Sequence, residues 1–592
     1  MNRNEADKKY TWDLSSLFKD QSSFDAQLER SKQQLQELCQ RKGHIADSVD
    51  TYAAFLNDQE TFERGLENLY VYAKMSTDVE PKDMQNQQNF AQAANLLQQA
   101  QLDLTFVSLE LIHHEKEIKE YLKEDCCKDF RYPMEELFRT IPHRLDDQME
   151  SFLSEVNEIA SIPNETYQSI RLTFDDVEVN GKKEFLNGAT YHDFLRNPDV
   201  QVRKQAFEHY FKEYGNLENA FANLLIGNAK GQVLNAKTRH FDSALQASLF
   251  QDGVDETLYN KILMMANEKY IDYLHAFFAM KKRVLGIEEF HEYDIALDLE
   301  PACDVHYSIE ECRSILKQAL SVLGDDYVSL LDQAFTQRWI DFYPSKDKRT
   351  GAYSWGTYDS NPYILTNFTG SYDSLSTLAH ELGHSMHSYY SNHHNRPMLA
   401  GYQIFVAEVA STVNEILLNT YLLKTNNDPS YRRYILSNLM EEFVGTCYRQ
   451  PMFAQFEKDL HAWIEERKPI SSKTITDRCL ELNKAYFGDA VIVDDLQKYG
   501  FYYVPHFYYN FYVYKYTLGM SVAISFVKDI LDGHPEAYRQ FLTKGGSESP
   551  VDELKNAGID PLKDEVYDNA FTFFKEIMDE FESLTEQKQK QQ

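Results

Sequence analysis

The sequence predicts a mainly α-helical protein with a large packed interior and few strands. Hydrophobic residues make up 43% of its 592 residues and aromatic residues 14%, which is enough apolar material for an extensive core. Helical periodicity runs through most of the chain, whereas strand-like segments occur in two places. This length usually means three or four domains, but one large helical body is the alternative, since no low-complexity linker divides the chain.

Helical signals begin near the N-terminus. Residues 24–43 form an amphipathic stretch of good helix formers that stops at Gly43. Residues 83–122 are long enough for one extended helix or a helical pair, and residues 198–237 are typical of a helical hairpin. From Pro429 onward the chain again favours helices.

The two strand-rich segments differ in character. In residues 172–185 the pair Asn180-Gly181 separates alternating stretches, which is a strong signal for a two-residue β-hairpin. Residues 341–371 are aromatic, β-branched and rich in turn residues, and they predict a small sheet just before the next helix.

Charge and cysteine usage narrow the function classes. The net charge is −33, from 60 basic and 93 acidic residues, so nucleic acid and anionic membranes are poor partners. The seven cysteines show no disulfide framework, and Cys126 and Cys127 are adjacent. The N-terminus carries no apolar signal segment, and no run approaches the ~20 apolar residues of a membrane span. We therefore expect a soluble, cytoplasmic protein with reduced thiols.

The segment LAHELGHSMH contains the pattern H-E-x-x-H at His380, Glu381 and His384. We predict a helix over residues 374–391, capped by Asp373. Histidines four apart share one helix face, so two imidazoles can reach one tetrahedral Zn²⁺ at about 2.0–2.1 Å. Glu381 is rotated around the helix, beside the metal rather than on it, where a general base would act. The alternative is the polar face of an ordinary amphipathic helix.

The opposite face of this helix is apolar and is expected to pack in the core: Leu375, Leu378, Leu382, Met386 and Tyr389. His387 lies three residues after His384, too far along the helix to join both histidines on one ion, and we interpret it as a polar surface or supporting residue. A metzincin would carry Gly and His where His387 and Tyr390 stand, so that class is excluded.

A third ligand is expected from the helix over residues 401–423. Glu408 and Glu415 share its polar stripe, two turns apart, and Glu408 follows His384 by 24 residues, enough for one loop and a returning helix. Spacing favours Glu408 as the ligand and leaves Glu415 as a supporting residue or the alternative ligand. For both, a solvated helix face is the simpler interpretation.

These motifs resemble the oligoendopeptidase F group of the thimet-oligopeptidase-like zinc metallopeptidases. The most specific part is YILTNFTGSYDSLSTLAHELGHSMHSYYS followed by FVAEVASTVNE. Further matches, YTWDLSSLF, NGATYHDFLRNPDVQVRKQAFEHYF and YYVPHFYYNFYVYKYTLGM, extend the resemblance over nearly the whole chain. It implies a large helical ellipsoid with a deep central substrate channel and a small β-sheet next to the H-E-x-x-H helix.

The resemblance also implies a set of roles. One zinc ion per chain would be held by His380, His384 and Glu408, a gluzincin arrangement, with Glu381 as general base. A histidine and several tyrosines would line the site. The segment PHFYYNFYVYKY supplies them, and we favour His506, Tyr509 and Tyr514 over Tyr512 and Tyr516. Without the resemblance, this segment would be interpreted as aromatic core. Residues 363–371 would form an edge strand to which an extended peptide adds, and Gly370 would allow a close backbone approach.

The predicted function is therefore a zinc-dependent endopeptidase that hydrolyses short unstructured peptides without a covalent intermediate. Three alternatives stay open: a zinc exopeptidase resembling dipeptidyl carboxypeptidases, a non-catalytic peptide-binding relative, and a helical interaction protein with a chance motif. The chain divides into residues 1–190, a helical region with a hairpin near 172–186, residues 191–580, the catalytic region, and residues 581–592, a frayed polar tail.

Overall fold

A computed structural model describes residues 3–301, 303 and 305–591, and most of them are helical, as the sequence predicts. The α-helices up to residue 285 are α1 (Gln21–Cys39), α2 (Val49–Val79), α3 (Met84–Asp103), α4 (Thr105–His113), α5 (Glu115–Tyr121), α6 (Arg131–Arg139), α7 (Asp147–Ser169), α8 (Tyr191–Leu195), α9 (Val200–Asn216), α10 (Glu218–Thr238), α11 (Ala244–Gln251), α12 (Glu256–Met264) and α13 (Ile271–Leu285).

The second half of the chain continues the helical pattern. Its α-helices are α14 (Ile309–Ala319), α15 (Asp325–Thr336), α16 (Tyr372–His394), α17 (Pro397–Ala400), α18 (Ile404–Thr425), α19 (Pro429–Val444), α20 (Gln450–Glu465), α21 (Ser472–Phe487), α22 (Tyr514–Leu531), α23 (Glu536–Phe541), α24 (Pro550–Asn556) and α25 (Asp564–Gln591). Within the described residues, no helix combines the length and apolar character needed to cross a bilayer.

The chain forms two compact units, each assembled from three separate segments. Unit 1 comprises Met1–Pro142, Asp304–Leu422 and Phe526–Ile559, and unit 2 comprises His143–Cys303, Leu423–Ser525 and Asp560–Gln592. The boundary predicted at residue 190 falls inside unit 2. Composition along the chain does not reveal such a division, because compactness depends on contacts between residues distant in sequence.

The N-terminal helices of unit 1 form their own apolar core. Asp20 caps α1 through the Ser23 N–H in a capping box, and Ser48 caps α2 through the Thr51 N–H. Apolar side chains recur on α1 at helical spacing and are buried against α2 and α3: Phe24, Leu28, Leu35 and Leu38. This burial of one face explains why the amphipathic stretch forms a helix.

The predicted hairpin is present in unit 2. Strand β1 (Val177–Val179) pairs antiparallel with β2 (Lys182–Glu184). The two connecting residues, Asn180 and Gly181, have φ of 54° and 75°. Positive φ at both central positions defines a type I′ turn, which Asn-Gly tolerates well.

The sheet before the H-E-x-x-H helix lies in unit 1 and has three strands: β3 (Ile340–Asp341), β4 (Tyr353–Trp355) and β5 (Tyr363–Leu365). Their order is β3-β5-β4, with β5 parallel to β3 and antiparallel to β4. β5 is therefore the central, fully buried strand, and the prediction that it forms an edge is wrong. Its continuous apolar run reflects burial on both sides, which leaves β4 as an edge.

The C-terminal segment also differs from expectation. Helix α25 continues to Gln591, so residues 581–591 are helical rather than a frayed tail. Phe581 and Thr585 are buried, and Lys588 Nζ lies 3.4 Å from Glu300 Oε1. The polar composition of this segment concealed these two inward-facing positions.

Candidate active site

Helix α16 carries the H-E-x-x-H pattern, and its predicted apolar stripe is buried except at Tyr389, which is partly exposed. Leu375, Leu378, Leu382 and Met386 are fully buried, so His380 and His384 project from the opposite face. The helix begins two residues earlier than predicted. Its N-cap is Ser371, whose hydroxyl accepts the Ser374 N–H, rather than Asp373.

Helix α18 crosses α16 in direct backbone contact at Gly383. A Cβ at this position would lie 2.5 Å from the Ala410 carbonyl oxygen and 2.6 Å from Ser411 Cα, closer than packed atoms approach. A hydrogen bond also joins the two helices, because Asn414 Nδ2 of α18 donates to the Ala379 carbonyl of α16 at 3.1 Å. Sequence reasoning missed Gly383, although a glycine inside a good helix pattern was an available signal.

The close crossing brings three ligand atoms together. His380 Nε2 and His384 Nε2 are 3.2 Å apart, and Glu408 Oε2 lies 3.5 Å from the first and 3.6 Å from the second. A tetrahedral zinc ion with bonds of about 2.0–2.1 Å holds its ligand atoms about 3.3–3.4 Å apart. The triangle therefore has the dimensions of one face of such a site, and the donor set is one that zinc uses.

Glu415 lies outside this triangle and contacts a histidine from behind. Its Oε2 is 3.1 Å from His380 Nδ1, and its Oε1 accepts the Ser376 hydroxyl at 3.1 Å. Because a carboxylate only accepts, Nδ1 is the donor, which leaves Nε2 directed toward the other two ligand atoms. The geometry thus places Glu408, which spacing favoured, next to both Nε2 atoms, and Glu415 behind His380.

The two histidines differ in their affinity for protons. Burial disfavours charge on both rings, but the hydrogen bond and charge of Glu415 outweigh it and raise the pKa of His380 to about 9. Burial and the neighbouring His380 lower the pKa of His384 to about 4. Without a metal, one positive charge is therefore favoured on this pair. Because a metal ion binds neutral imidazole, its binding would displace the proton from His380.

Glu381 is the buried carboxylate beside the triangle. The residue is 7% exposed, and this burial raises the pKa of Glu381 to about 7. The charge of His380 lowers this pKa, whereas the charges of Glu408 and Glu415 raise it. The Ser354 backbone N–H of β4 donates to Glu381, and the Ser354 and Ser385 hydroxyls are 2.8 Å apart. Strand β4 therefore lies against α16 and positions Glu381.

The register of the sheet explains why Ser354 faces outward. The Ile364 N–H of β5 donates to Trp339 on the β3 side, so Tyr363 and Leu365 direct their backbone groups toward β4. These groups form the backbone hydrogen bonds with their partners Trp355 and Tyr353 on β4. The backbone N–H and C=O of Ser354, which lies between these two residues, therefore point away from β5. The unpaired edge of the sheet is thus the one next to Glu381.

The sequence models of two families match the chain. Peptidase family M3 matches residues 194–573, more than half of the chain, and Oligopeptidase F matches residues 112–173.

The chain belongs to peptidase family M3.

Similar proteins cover this peptidase from end to end. Oligopeptidase PepF of Bacillus subtilis (strain 168) is 34% identical over an alignment of 591 positions that covers 98% of this chain and 88% of the relative. A crystal structure of a Chlamydophila abortus protein, provisionally described as a peptidase, superposes with a TM-score of 0.92 at 29% identity, covering 98% of this chain and 99% of that one. Oligoendopeptidase-F of Enterococcus faecium superposes with a TM-score of 0.72 at 28% identity, covering 96% and 99%.

In this M3 peptidase His387 is a core residue, so the prediction of a polar surface position is wrong. Its ring is fully buried and stacks on Tyr402 at 3.8 Å between centroids. Neither ring nitrogen has a hydrogen-bond partner in the described part of the chain. Burial lowers the pKa of His387 to about 3, and the imidazole is neutral. A histidine on an otherwise polar helix face gave no signal of this aromatic environment.

The predicted histidine and tyrosines of the M3 peptidase lie in unit 2. His506 is in a short turn over Pro505–Tyr508, and Tyr509 follows it, 48% exposed, with ring centroids 5.6 Å apart. Tyr514 is fully buried, and its hydroxyl donates to Asp252 Oδ2 at 2.8 Å. Tyr514 therefore does not face a substrate, and favouring it was wrong.

The remaining tyrosines of this segment cluster with His506. Tyr516 lies 6.1 Å from His506 and 5.5 Å from Tyr512 between ring centroids, and both tyrosines are partly exposed. Tyr512 precedes α22, and its ring contacts Tyr516 in the first turn of that helix, whereas Tyr514 points into the core. The aromatic-core interpretation is thus correct for Tyr514.

Proposed function

We propose that the protein is a zinc-dependent endopeptidase that hydrolyses internal bonds of short, unstructured oligopeptides, with one zinc ion per chain. The observation that carries this proposal is the convergence of ligand atoms from His380, His384 and Glu408 within 4.8 Å of one another, beside a buried Glu381. Membership of peptidase family M3 supports the peptidase activity. The names of the relatives, oligopeptidase and oligoendopeptidase, support the substrate class.

In this proposal the three ligands hold the metal and Glu415 orients His380 through Nδ1. When bound, zinc supplies a Lewis acid that polarises the attacked carbonyl and lowers the pKa of the attacking water. Glu408, the most exposed of the three ligands, comes from a different helix than the histidines. The ligand set therefore depends on the crossing of α16 and α18.

Glu381 moves the proton. One of its carboxylate oxygens accepts a proton from the attacking water and returns it to the nitrogen of the leaving amine. The Ser354 N–H donates to the Glu381 carboxylate and holds it in place. Because Glu381 is buried, bulk water has little access to this carboxylate. The reaction needs no serine or cysteine nucleophile.

Strand β4 is the proposed docking edge for the peptide, in place of the segment 363–371. An extended peptide can pair with its outward backbone groups and so be bound with little regard to its side chains. We also propose, on the resemblance alone, that His506 and Tyr509 donate hydrogen bonds to substrate. The cytoplasmic location is part of the proposal, supported by seven free cysteines.

The test is cleavage of an internally quenched, end-blocked peptide of about ten residues by wild type and Glu381→Gln, with bound zinc quantified in both. We expect about one zinc per chain in each protein and internal cleavage by wild type only. Failure of wild type to cleave the blocked peptide, with cleavage when an end is free, would support an exopeptidase instead. Absence of zinc from both proteins would refute the metal site.

A further inference from the structure

Unit 2 contains a cavity of about 190 Å³ whose lining includes neither the proposed zinc ligands nor Glu381. Its walls are mostly aromatic and come from α8, α9, α13, α20, α21 and the turn before α22, with Phe207, Phe211, Phe278, Tyr486, Phe487 and Tyr503 among them. The volume is below the roughly 300–1,000 Å³ of sites for drug-sized ligands. A ligand of this cavity is therefore small and largely apolar.

Arg449 brings an unpaired positive charge to this cavity. It ends a π-helical turn, Gly445–Arg449, that joins α19 to α20, and such turns are frequent at functional sites. A Cβ at Gly445 would lie 3.0 Å from Arg449 Nη2, so the glycine leaves room for the guanidinium. Within the described part of the chain, no carboxylate pairs with it. Glu441, which also lines the cavity, is paired with Lys281.

Glu292 supplies a second donor inside the cavity. It is 4% exposed, and its Oε1 accepts the Asp494 N–H at 3.1 Å. Its Oε2 is buried and has no partner among the described residues. Burial, and then the charge of Asp494, raise the pKa of Glu292 to about 9, so the group is protonated at neutral pH and can donate from Oε2. An unsatisfied buried donor of this kind needs an acceptor.

Arg449 and Glu292 face the same space. Both side chains line the cavity together with Tyr503. The charge of Arg449 acts on the Tyr503 hydroxyl against burial, which raises the pKa of that hydroxyl. The cavity thus combines a guanidinium, a carboxylic acid donor and aromatic walls in a chain whose net charge is −33. Two donors and no free acceptor charge select an anion, and a planar guanidinium matches a carboxylate.

We propose that this cavity binds a small carboxylate with an aromatic or branched apolar group. Arg449 binds the carboxylate, the aromatic walls enclose the apolar group, and Glu292 hydrogen-bonds an oxygen of the ligand. Two sources share this chemistry, a free N-blocked amino acid and the C-terminal residue of a peptide. The proposal is independent of the zinc chemistry, because none of the lining residues belongs to unit 1.

The test uses isothermal titration calorimetry on the full chain after removal of metal by a chelator. N-acetyl-phenylalanine is the probe. N-acetyl-phenylalanine amide lacks the carboxylate, and N-acetyl-alanine lacks the aromatic group. We expect saturable binding of the probe and at least tenfold weaker binding of both analogues. Working without metal prevents a carboxylate from binding at the zinc site, so failure of the peptidase proposal does not affect the result.

Variants locate the binding. Arg449→Met should weaken probe binding at least tenfold, and Ala296→Phe, which fills the cavity but keeps Arg449, should abolish it. Arg196→Met is the matched control, since Arg196 is an exposed arginine that does not line the cavity. Circular dichroism checks that each variant is folded. Unchanged binding in both Arg449→Met and Ala296→Phe would overturn the proposal, as would equal binding of the amide.

A second pair of ligands separates the two sources. A pentapeptide ending in phenylalanine is compared with the same peptide carrying a C-terminal amide. Binding of the free-acid peptide supports a site for peptide C-termini, and binding of N-acetyl-phenylalanine alone supports a site for amino acid derivatives. Absence of saturable binding by any carboxylate, or binding that appears only when zinc is restored, overturns the proposal.

Discussion

At the scale of single residues, Gly383 and Glu415 position the atoms of the proposed zinc ligands His380, His384 and Glu408. Gly383 permits the backbone contact between α16 and α18, and Glu415 holds the His380 ring. Glu381, His380 and His384 were identifiable from the sequence because their spacing expresses helix geometry. The errors at this scale, His387 and Tyr514, concern burial, which depends on neighbours distant in the chain.

Replacement of Gly383 should loosen the crossing of α16 and α18. In Gly383→Ala the new Cβ meets backbone atoms that cannot rotate away, so we expect a loss of roughly 1–3 kcal/mol in unfolding free energy and weaker zinc binding. Urea unfolding and competition with a chromophoric chelator measure both effects. Gly401→Ala is the control, because a Cβ there meets nothing within 4 Å. Equal behaviour of the two variants would contradict the prediction.

The two carboxylates of α18 should differ in their effect on zinc affinity. Glu408→Ala removes a ligand and should abolish tight binding, whereas Glu415→Ala removes a hydrogen bond to His380 and should weaken binding about 10–100-fold. Zinc dissociation constants, obtained by chelator competition, test this order. The reverse order would make Glu415 the ligand.

At the scale of elements, strand order and helix ends required the folded structure. The resemblance implied an edge strand at residues 363–371, but only pairing on both sides shows that β5 is central and β4 is an edge. The hairpin at Asn180-Gly181 could be predicted from the sequence, because the local φ preferences of these two residues determine the turn. Glu457 on α20 stabilises a distant turn, and nothing in the sequence indicates this contact. Its Oε1 accepts the Phe511 N–H at 2.7 Å, in a turn where Asn510 and Phe511 have positive φ.

Glu457 should make the stability of the protein fall as the pH rises. Burial raises its pKa to about 8, above the value of 4.5 expected in the unfolded chain. Between pH 4.5 and about 8 the folded protein keeps the proton on Glu457, whereas the unfolded chain has released it. The stabilisation from this proton is complete below pH 4.5 and is lost as the pH rises through about 8. Glu457→Gln keeps the acceptor for Phe511 and removes the titration.

We therefore expect Glu457→Gln to gain on the order of a few kcal/mol in unfolding free energy over wild type at pH 9, with little difference at pH 5. Chemical unfolding across this pH range measures the difference. Glu466→Gln, at the exposed end of the same helix, is the control and should follow wild type. A constant difference between wild type and Glu457→Gln at all pH values would show that ionisation of Glu457 is not the cause.

At the scale of the whole molecule, the charge of −33 should influence which peptides are cleaved fastest. A strongly acidic protein attracts cationic peptides at low ionic strength, and salt screens this attraction over about 10 Å at 0.1 M. We expect higher kcat/KM for a basic peptide than for a matched acidic one at low salt, with the ratio falling toward one at high salt. Equal values at low salt would exclude a role for net charge.

The sequence by itself determined the helical character, the hairpin at Asn180-Gly181, and the spacing that puts His380 and His384 on one face beside Glu381. These features depend on local periodicity and turn preferences, which a chain carries wherever it folds. Only the tertiary structure decided that β4 is the edge, that Tyr514 is buried, and that Glu408 lies beside both histidines while Glu415 contacts His380 from behind. Each of these features depends on contacts between residues far apart in the chain. Glu408 and Glu415 lie on the same face of α18, and only the packing of α18 on α16 at Gly383 gives them different positions relative to the histidines.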